Sequence, residues 1–432
     1  MTQGMGKNAA VLTASSLVMR LLGMVWQIWL AGRLGAVGIG LLGLVMSVGF
    51  FFSTAAVSGI RFAVTRLLSE ELGRGREGSV GAVIFSAGMY AAFFGAAAAA
   101  GLWLLSPVIA GRWIGDMRTA AALRLLAPAL PAGAFSSLLA GYFTAVGRVY
   151  MTAGEQLAEQ LVRMGLTALA LGRLPGAEPG TVCAAAVGAG TAADILGAWA
   201  MGALYALDRR RHAAAGERGE DLTPRLLRIA VPLALSAWAR SALSAVRQLL
   251  APRGLRLSGL SADAALAGYG VINGMALPLL TFPACLPAAV SELLVPALTR
   301  AQTGGRDREL KNYVNRLLFR TFFLSLGAAA AFYVSADLLA GMVYRNREAA
   351  RFIRSLAPMV PFIYTDIVTD GCLKGLGEMM SSMAFNLAEA LLGLGLIWAL
   401  LPRRALAGYV FTLYACEIFN FALSVRRLYR VL

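Results

Sequence analysis

Long apolar runs broken by short charged punctuation dominate the hydrophobic pattern. Residues 81–106 carry no Asp, Glu, Lys or Arg, and neither do residues 391–401. A helix needs about 20 mostly apolar residues to cross the hydrocarbon layer. The runs do not alternate apolar and polar residues, as membrane β-strands would. The pattern therefore predicts an all-α polytopic membrane protein of about twelve transmembrane helices. These fall near 9–32, 37–60, 80–106, 119–146, 152–173 and 181–207, then 224–251, 262–298, 313–341, 350–373, 378–401 and 404–428. Segment 262–298 is too long for one straight span. Pro278, Pro283 and Pro287 inside it are expected to kink or break it, because proline lacks the backbone donor and clashes with the preceding turn. The organisation read from this is a six-helix lobe at 1–207, a cytoplasmic linker at 208–223 and a second six-helix lobe at 224–432. The linker run RRRHAAAGERGED is charged, rich in small residues and not expected to pack. The first apolar stretch is long enough to remain as a spanning helix, so no cleavable signal peptide is expected.

The two lobes repeat each other. Leu123–Leu171 and Ile353–Leu401 align without a gap at an offset of 230, with 14 of 49 positions identical. Composition skew alone gives roughly five or six. The matches include Pro128/Pro358, Pro131/Pro361, Gly141/Gly371, Gly147/Gly377 and Glu159/Glu389, which apolar bias does not explain. GRGREG at 73–78 and TGGRDR at 303–308 echo one another at the same offset. Six helices per lobe return the chain to its starting side, so the lobes are parallel repeats related by a pseudo-twofold along the membrane normal. Such repeats are a transporter signature, with cargo held between the halves.

Composition agrees. Hydrophobic residues make up 58% and charged residues 14%, with mean hydropathy +0.68, against about 25% charged in soluble domains. A net charge of +16 would suggest nucleic acid. The basic residues, however, are spread over many short loops, where they act as topology signals, and no nucleic-acid partner is expected. Alternate loops hold 21 Lys and Arg on one side against 12 on the other, which predicts both termini in the cytoplasm. Cys183, Cys285, Cys372 and Cys416 sit in apolar segments without paired spacing, and the one histidine, His212, lies in the linker. Neither a disulfide frame nor a metal site is expected. There is no catalytic triad, phosphate loop or nucleotide motif, so no enzyme and no cofactor is predicted.

Charges inside the predicted helices carry the candidate chemistry, since ionisable groups at membrane depth face cavities or partners. Arg20 lies in the first helix, and Arg240 and Arg247 in the seventh. They read as a clamp for an anionic cargo, guanidinium forks matching phosphate oxygens, or as interhelical ion pairs or snorkelling residues. Glu155, Glu159 and Arg163 are spaced four apart on the fifth helix and share a face. Glu159 and Arg163 read as cavity lining or as a self-neutralising pair. Arg61, at a helix end, fits interface snorkelling or cargo contact. A second set, Asn386 and Glu389 with Glu417 and Asn420, lies on the last two helices, and Asp366 and Asp370 lie on the tenth. Such oxygens coordinate sodium or carry a proton, or they join helices by hydrogen bonds.

The runs LTASSLVMRLLGMVWQIWLAGRLGAVGIGLLGLVMSV (12–48), AVTRLLSEELGRG (63–75), GYFTAVGRVYMTAGEQLAEQLVR (141–163) and LPLLTFPACLPAAVSELLVPALTRA (277–301) resemble the stage V sporulation protein B-like polysaccharide transporters. That family sits in the multidrug/oligosaccharidyl-lipid/polysaccharide (MOP) exporter superfamily, with the lipid II flippase MurJ. The resemblance covers nearly the whole chain. It implies the MOP flippase fold, alternating access and a cationic cavity. The implied cargo is a polyprenyl-phosphate-linked saccharide, moved to the outer leaflet of a bacterial inner membrane. Arg20 matches an arginine in the first helix of such flippases, and Glu159, Gln160 and Arg163 match their EQ-x-x-R pattern. Some relatives have a sodium site in the second lobe, a role for which Asn386, Glu389 and Glu417 are the candidates here. Expected partners are the lipid-linked saccharide, membrane lipid, and proteins of cell-wall or polysaccharide synthesis. Many members carry two further C-terminal helices that form a lipid-facing groove; with twelve read here, no such groove is expected. A cation-coupled drug exporter of the same architecture is the rival reading, and a non-transporting scaffold for wall synthesis is a third.

Overall fold

The structure, a computed structural model, describes residues 2–57, 59–76, 78–211, 222–303 and 307–432, with Arg20 described by its backbone alone. All regular structure among the described residues is helical. The helices are α1 (Thr2–Val57), α2 (Ile60–Gly73), α3 (Ser79–Val108), α4 (Ala120–Leu126), α5 (Ala129–Ala145), α6 (Val149–Gly172), α7 (Pro179–Arg211), α8 (Leu222–Leu257), α9 (Ala262–Gly270), α10 (Leu277–Thr281), α11 (Cys285–Thr303), α12 (Asp307–Leu339), α13 (Arg347–Leu356), α14 (Val360–Gly375) and α15 (Met379–Val431). Two of them are bent pairs. Gly35 (φ 67°) interrupts α1 and Ala405 (φ 46°) interrupts α15.

Among the described residues, eight helical stretches are long and apolar enough to cross a membrane. Val334 and Trp398 are 81% and 78% exposed, a surface that water would not tolerate and lipid does. The chain is a multi-pass membrane protein. The proline-rich segment breaks as expected: α9 runs into a wide π-type turn at Val271–Ala276, then α10, then a tight turn at Phe282–Ala284 before α11. Pro278 and Pro283 each sit at a helix start, where the missing donor costs nothing. Residues 212–221 of the expected linker lie outside the described residues. Its first residue, Asp208, belongs to α7 and is buried, accepting a hydrogen bond from Tyr142 and paired with Arg148.

The chain forms two compact units. One comprises Met1–Met19 and Leu44–Ala245, the other Arg20–Gly43 and Val246–Leu432. Both α1 and α8 are therefore divided between units.

Within each unit the internal repeat is visible as geometry, including the stretch before residue 123 where sequence identity is lost. In the first unit a π-type turn at Ile109–Ile114 ends on left-handed Gly115, and Asp116 then caps the next turn by accepting from the Arg118 amide at 3.0 Å. In the second unit the same turn at Ala340–Tyr344 ends on left-handed Arg345, and Asn346 accepts from the Glu348 amide at 2.9 Å. Both turns end at the same offset, and Arg345, Asn346 and Glu348 are each their counterpart plus 230. Further on, a Cβ at Gly141 would lie 2.8 Å from the Arg61 carbonyl oxygen, and one at Gly371 would lie 2.9 Å from Ser291 Cβ. Arg61 and Ser291 are again 230 apart. The glycines are repeated because two helices approach there too closely for a side chain. Gly147 (φ 74°) and Gly377 (φ 82°) make the equivalent left-handed turns before α6 and α15.

Candidate functional site

In the first unit, α6 and α7 hold a polar cluster. The four-residue spacing on α6 stacks Glu155, Glu159 and Arg163 on the face turned to α7. Arg163 Nη2 donates to Glu159 Oε1 at 2.6 Å and also to Asp194 of α7. Asp194 was not singled out in the sequence, although it is the one charge in the apolar run 179–207 and the membrane-depth rule would have found it. Glu155 is buried. The α7 backbone is notched to receive these groups: a Cβ at Gly197 would lie 2.6 Å from Glu159 Oε2 and 2.8 Å from Glu155 Oε1. Gln160 is half-buried on the same helix, and Arg61 and Arg240 are exposed.

In the second unit, Arg247 of α8 donates from Nη1 to Glu389 Oε1 of α15 at 3.1 Å. Arg240 belongs to the first unit and Arg247 to the second, so these two arginines of one helix fall in different units. Beside this pair, Asn420 donates to Asp366 Oδ2 (3.1 Å) and to Asn386 Oδ1 (3.3 Å). Glu417 and Asp366 lie close enough to Glu389 to repel it. Asp370 accepts from Ser382 and pairs with Lys374 Nζ at 2.5 Å, so it belongs to a separate ion pair one turn away. Asp366 Oδ1 and Asn420 Oδ1 are buried acceptors with no donor. Two such oxygens among surplus carboxylates fit a bound monovalent cation or proton, although no group of three His, Cys, Asp or Glu among the described residues is arranged to hold a metal ion.

The second unit also contains a cavity of about 510 Å³, lined chiefly by α1, α10 and the tight turn into α11, with Gln27, Asn273 and Thr281 as polar groups among Met24, Leu277, Phe282 and Cys285. This is the size range of small-molecule sites. Asn273 is held in place by reciprocal hydrogen bonds with the Tyr409 hydroxyl, at 2.9 and 3.1 Å. Gln27 and Asn273 carry no charge and so leave a weaker mark in the sequence than the arginines and carboxylates, yet each is a lone amide in an apolar run. Arg20, the first-helix candidate, has a side chain outside the described residues.

Known proteins bear on this arrangement. The family model described as polysaccharide biosynthesis protein matches residues 5–302, and that of MatE matches residues 255–399. Stage V sporulation protein B of Bacillus subtilis (strain 168) is 25% identical over 408 residues, covering 93% of this chain and 78% of that protein. Among solved structures, an inward-facing multidrug resistance MATE family transporter of the MOP superfamily superposes with TM-score 0.71 at 15% identity, covering 98% of each chain. The lipid II flippase MurJ in an inward closed conformation superposes with TM-score 0.70 at 11% identity, covering 96% of this chain and 87% of that one. The fold is the MOP flippase fold.

Proposed function

From the fact that the chain belongs to the polysaccharide biosynthesis protein family, we propose that it is a flippase for a polyprenyl-(pyro)phosphate-linked saccharide, working by alternating access in the bacterial cytoplasmic membrane with both termini cytoplasmic. The family match over residues 5–302 carries this reading, and the similarity to stage V sporulation protein B supports it. The sugar occupies the cavity lined by Gln27, Asn273 and Thr281, whose amides and hydroxyl suit a polyol. The prenyl chain stays in lipid, where it loses nothing by being left outside.

Arg20 is the arginine we assign to the phosphate. It precedes Met24 and Gln27 by four and seven residues, the spacing of a single helix face, and both of those line the cavity. Arg163 and Arg247 are already neutralised by carboxylates of their own units, so they are positioning residues in this reading. Asp366, Asn420, Glu389 and Glu417 are the residues that would hold a coupling ion.

The test is flipping of a fluorescent polyprenyl-pyrophosphate saccharide in proteoliposomes, wild type beside Arg20→Ala. Flipping by the wild type that falls at least tenfold in the variant supports the reading. Export of cationic dyes with no flipping of such lipids would establish the rival drug exporter, which the MatE match over residues 255–399 favours.

A further inference from the structure

We propose that the first unit contains a proton-binding site between Glu155 and Glu159, serviced by Asp194 and Arg163. Glu155 is 8% exposed, and its Oε1 is a buried acceptor that no donor reaches. The Glu159 carboxyl, one turn on, converges on the same spot: a Cβ at Gly197 would lie 2.6 Å from Glu159 Oε2 and 2.8 Å from Glu155 Oε1. An ionised carboxylate only accepts hydrogen bonds. Glu159 has the Arg163 guanidinium on its Oε1, but with both carboxyls ionised the Glu155 acceptor stays unmet and the two charges repel. One proton resolves this: Glu–COO⁻ plus Glu–COO⁻ plus H⁺ from water becomes Glu–COOH donating to Glu–COO⁻.

The site is built for that arrangement. Gly197 supplies the notch in α7 that lets both carboxyls approach its backbone. The surrounding charges are Arg163 on α6 and Asp194 on α7, bonded to each other. Toward the start of α6, Arg148 pairs with Asp208 of α7, to which Tyr142 of α5 also donates. Three carboxyls around one guanidinium leave two negative charges, and one proton halves the imbalance. Thr152 and Thr191, one turn from Glu155 and Asp194, are buried hydroxyls that also lack a partner. A metal ion is the poorer occupant. The Arg163 guanidinium lies against the same carboxylates and repels a second fixed cation, and no cluster here is arranged to hold a metal ion among the described residues.

The site stands without cargo; its use as the coupling ion rests on the transporter reading. Infrared difference spectroscopy of the full chain in lipid nanodiscs, titrated across neutral pH without cargo, tests the site through the carboxylic-acid carbonyl stretch. The wild type is expected to show a band that Glu155→Gln removes. Glu159→Gln removes it too, because the amide of either variant donates to the remaining carboxylate and replaces the proton. Both substitutions keep the hydrogen bond, so folding is preserved. A band unchanged in both variants overturns the proposal, whatever the flipping assay shows. In proteoliposomes, an imposed pH gradient should then accelerate flipping by the wild type and leave Glu155→Gln unaffected. A wild type that flips cargo but ignores the pH gradient overturns the coupling role.

Discussion

Replacing Arg247 tests whether this arginine holds the second unit together or holds cargo. The guanidinium lies 3.1 Å from Glu389, with side-chain exposures of 31% and 20%. At an effective dielectric of about 20 the attraction is about 5 kcal/mol before desolvation. Removing one partner of a fully buried pair costs about 3–5 kcal/mol. Partial exposure lowers the expectation for Arg247→Met to about 2–3 kcal/mol. The orphaned charge would be Glu389, already crowded by Asp366 and Glu417. In Arg247→Met/Glu389→Gln the uncompensated charge is gone, so at least half of the loss should return, giving a coupling of about 1–3 kcal/mol. Thermal unfolding in detergent of the wild type, both single variants and the double variant measures the cycle, with flipping assayed on the same preparations. A positioning role predicts that the double variant recovers stability and flipping together. Additive losses of stability, or a stable double variant that no longer flips, would refute the reasoning and return Arg247 to the cargo site.

Arg345 is left-handed (φ 51°) where its repeat partner is Gly115. A side chain in that region costs about 1–2 kcal/mol, so Arg345→Gly should raise thermal stability by about 1 kcal/mol, less the extra freedom glycine gives the unfolded chain, and Gly115→Ala should lower it; unfolding scans decide both. Gly371→Ala places a Cβ 2.9 Å from Ser291 Cβ and 3.0 Å from Ser291 Cα, and should destabilise by about 1–3 kcal/mol as overpacking does, with rescue by Ser291→Gly in the same scans. The Arg427 guanidinium on Glu378, at 2.7 and 3.0 Å, holds that carboxyl below its usual range, helped by the Ser381 hydroxyl. A depressed folded value means the pair stabilises above the unfolded carboxylate pKa of about 4.3 and fades as pH falls through the folded value. The difference in melting temperature between wild type and Glu378→Gln should therefore be present at neutral pH and vanish in acid.

Much of the architecture was legible in the chain because membrane burial leaves a coarse, redundant mark. Apolar runs gave the class, prolines gave the break between α9 and α11, and repeated glycines gave the duplication from residue 123 onward. Between the 73–78 echo and residue 123 the repeat was hidden for a chemical reason. Asp116 and Asn346 cap equally well, and Gly115 and Arg345 adopt the same backbone region, so the geometry survives while identity is lost. The candidate sites were legible only along a single helix. Spacing stacked Glu159 on Arg163, but nothing in a sequence says which other helix lies opposite. Arg247 for Glu389 and Tyr409 for Asn273 are pairings between segments far apart in the chain, and Asp194 reaches Arg163 from the next helix.

Those pairings show what the duplication has preserved. Glu159 and Glu389 are the same repeat position, and each is met by a guanidinium from a different source. In the first unit the cation is Arg163, on the same helix. Its counterpart in the second unit is Gly393, and a Cβ there would lie 3.5 Å from Arg247 Nη1 and 3.0 Å from Cys416 Sγ. The space left by the missing arginine is thus filled by one delivered from α8. At the helix starts even the sign is exchanged: Arg148 pairs with Asp208, while its counterpart Glu378 pairs with Arg427. A cargo-binding charge cannot change sign and keep its ligand, whereas a charge that joins helices needs only an opposite partner at the same depth. The reversal therefore assigns the helix-start pairs to the scaffold. It leaves the surplus carboxyls, Glu155 in one unit and Asp366 with Glu417 in the other, as the membrane-depth charges that pairing within the fold does not explain.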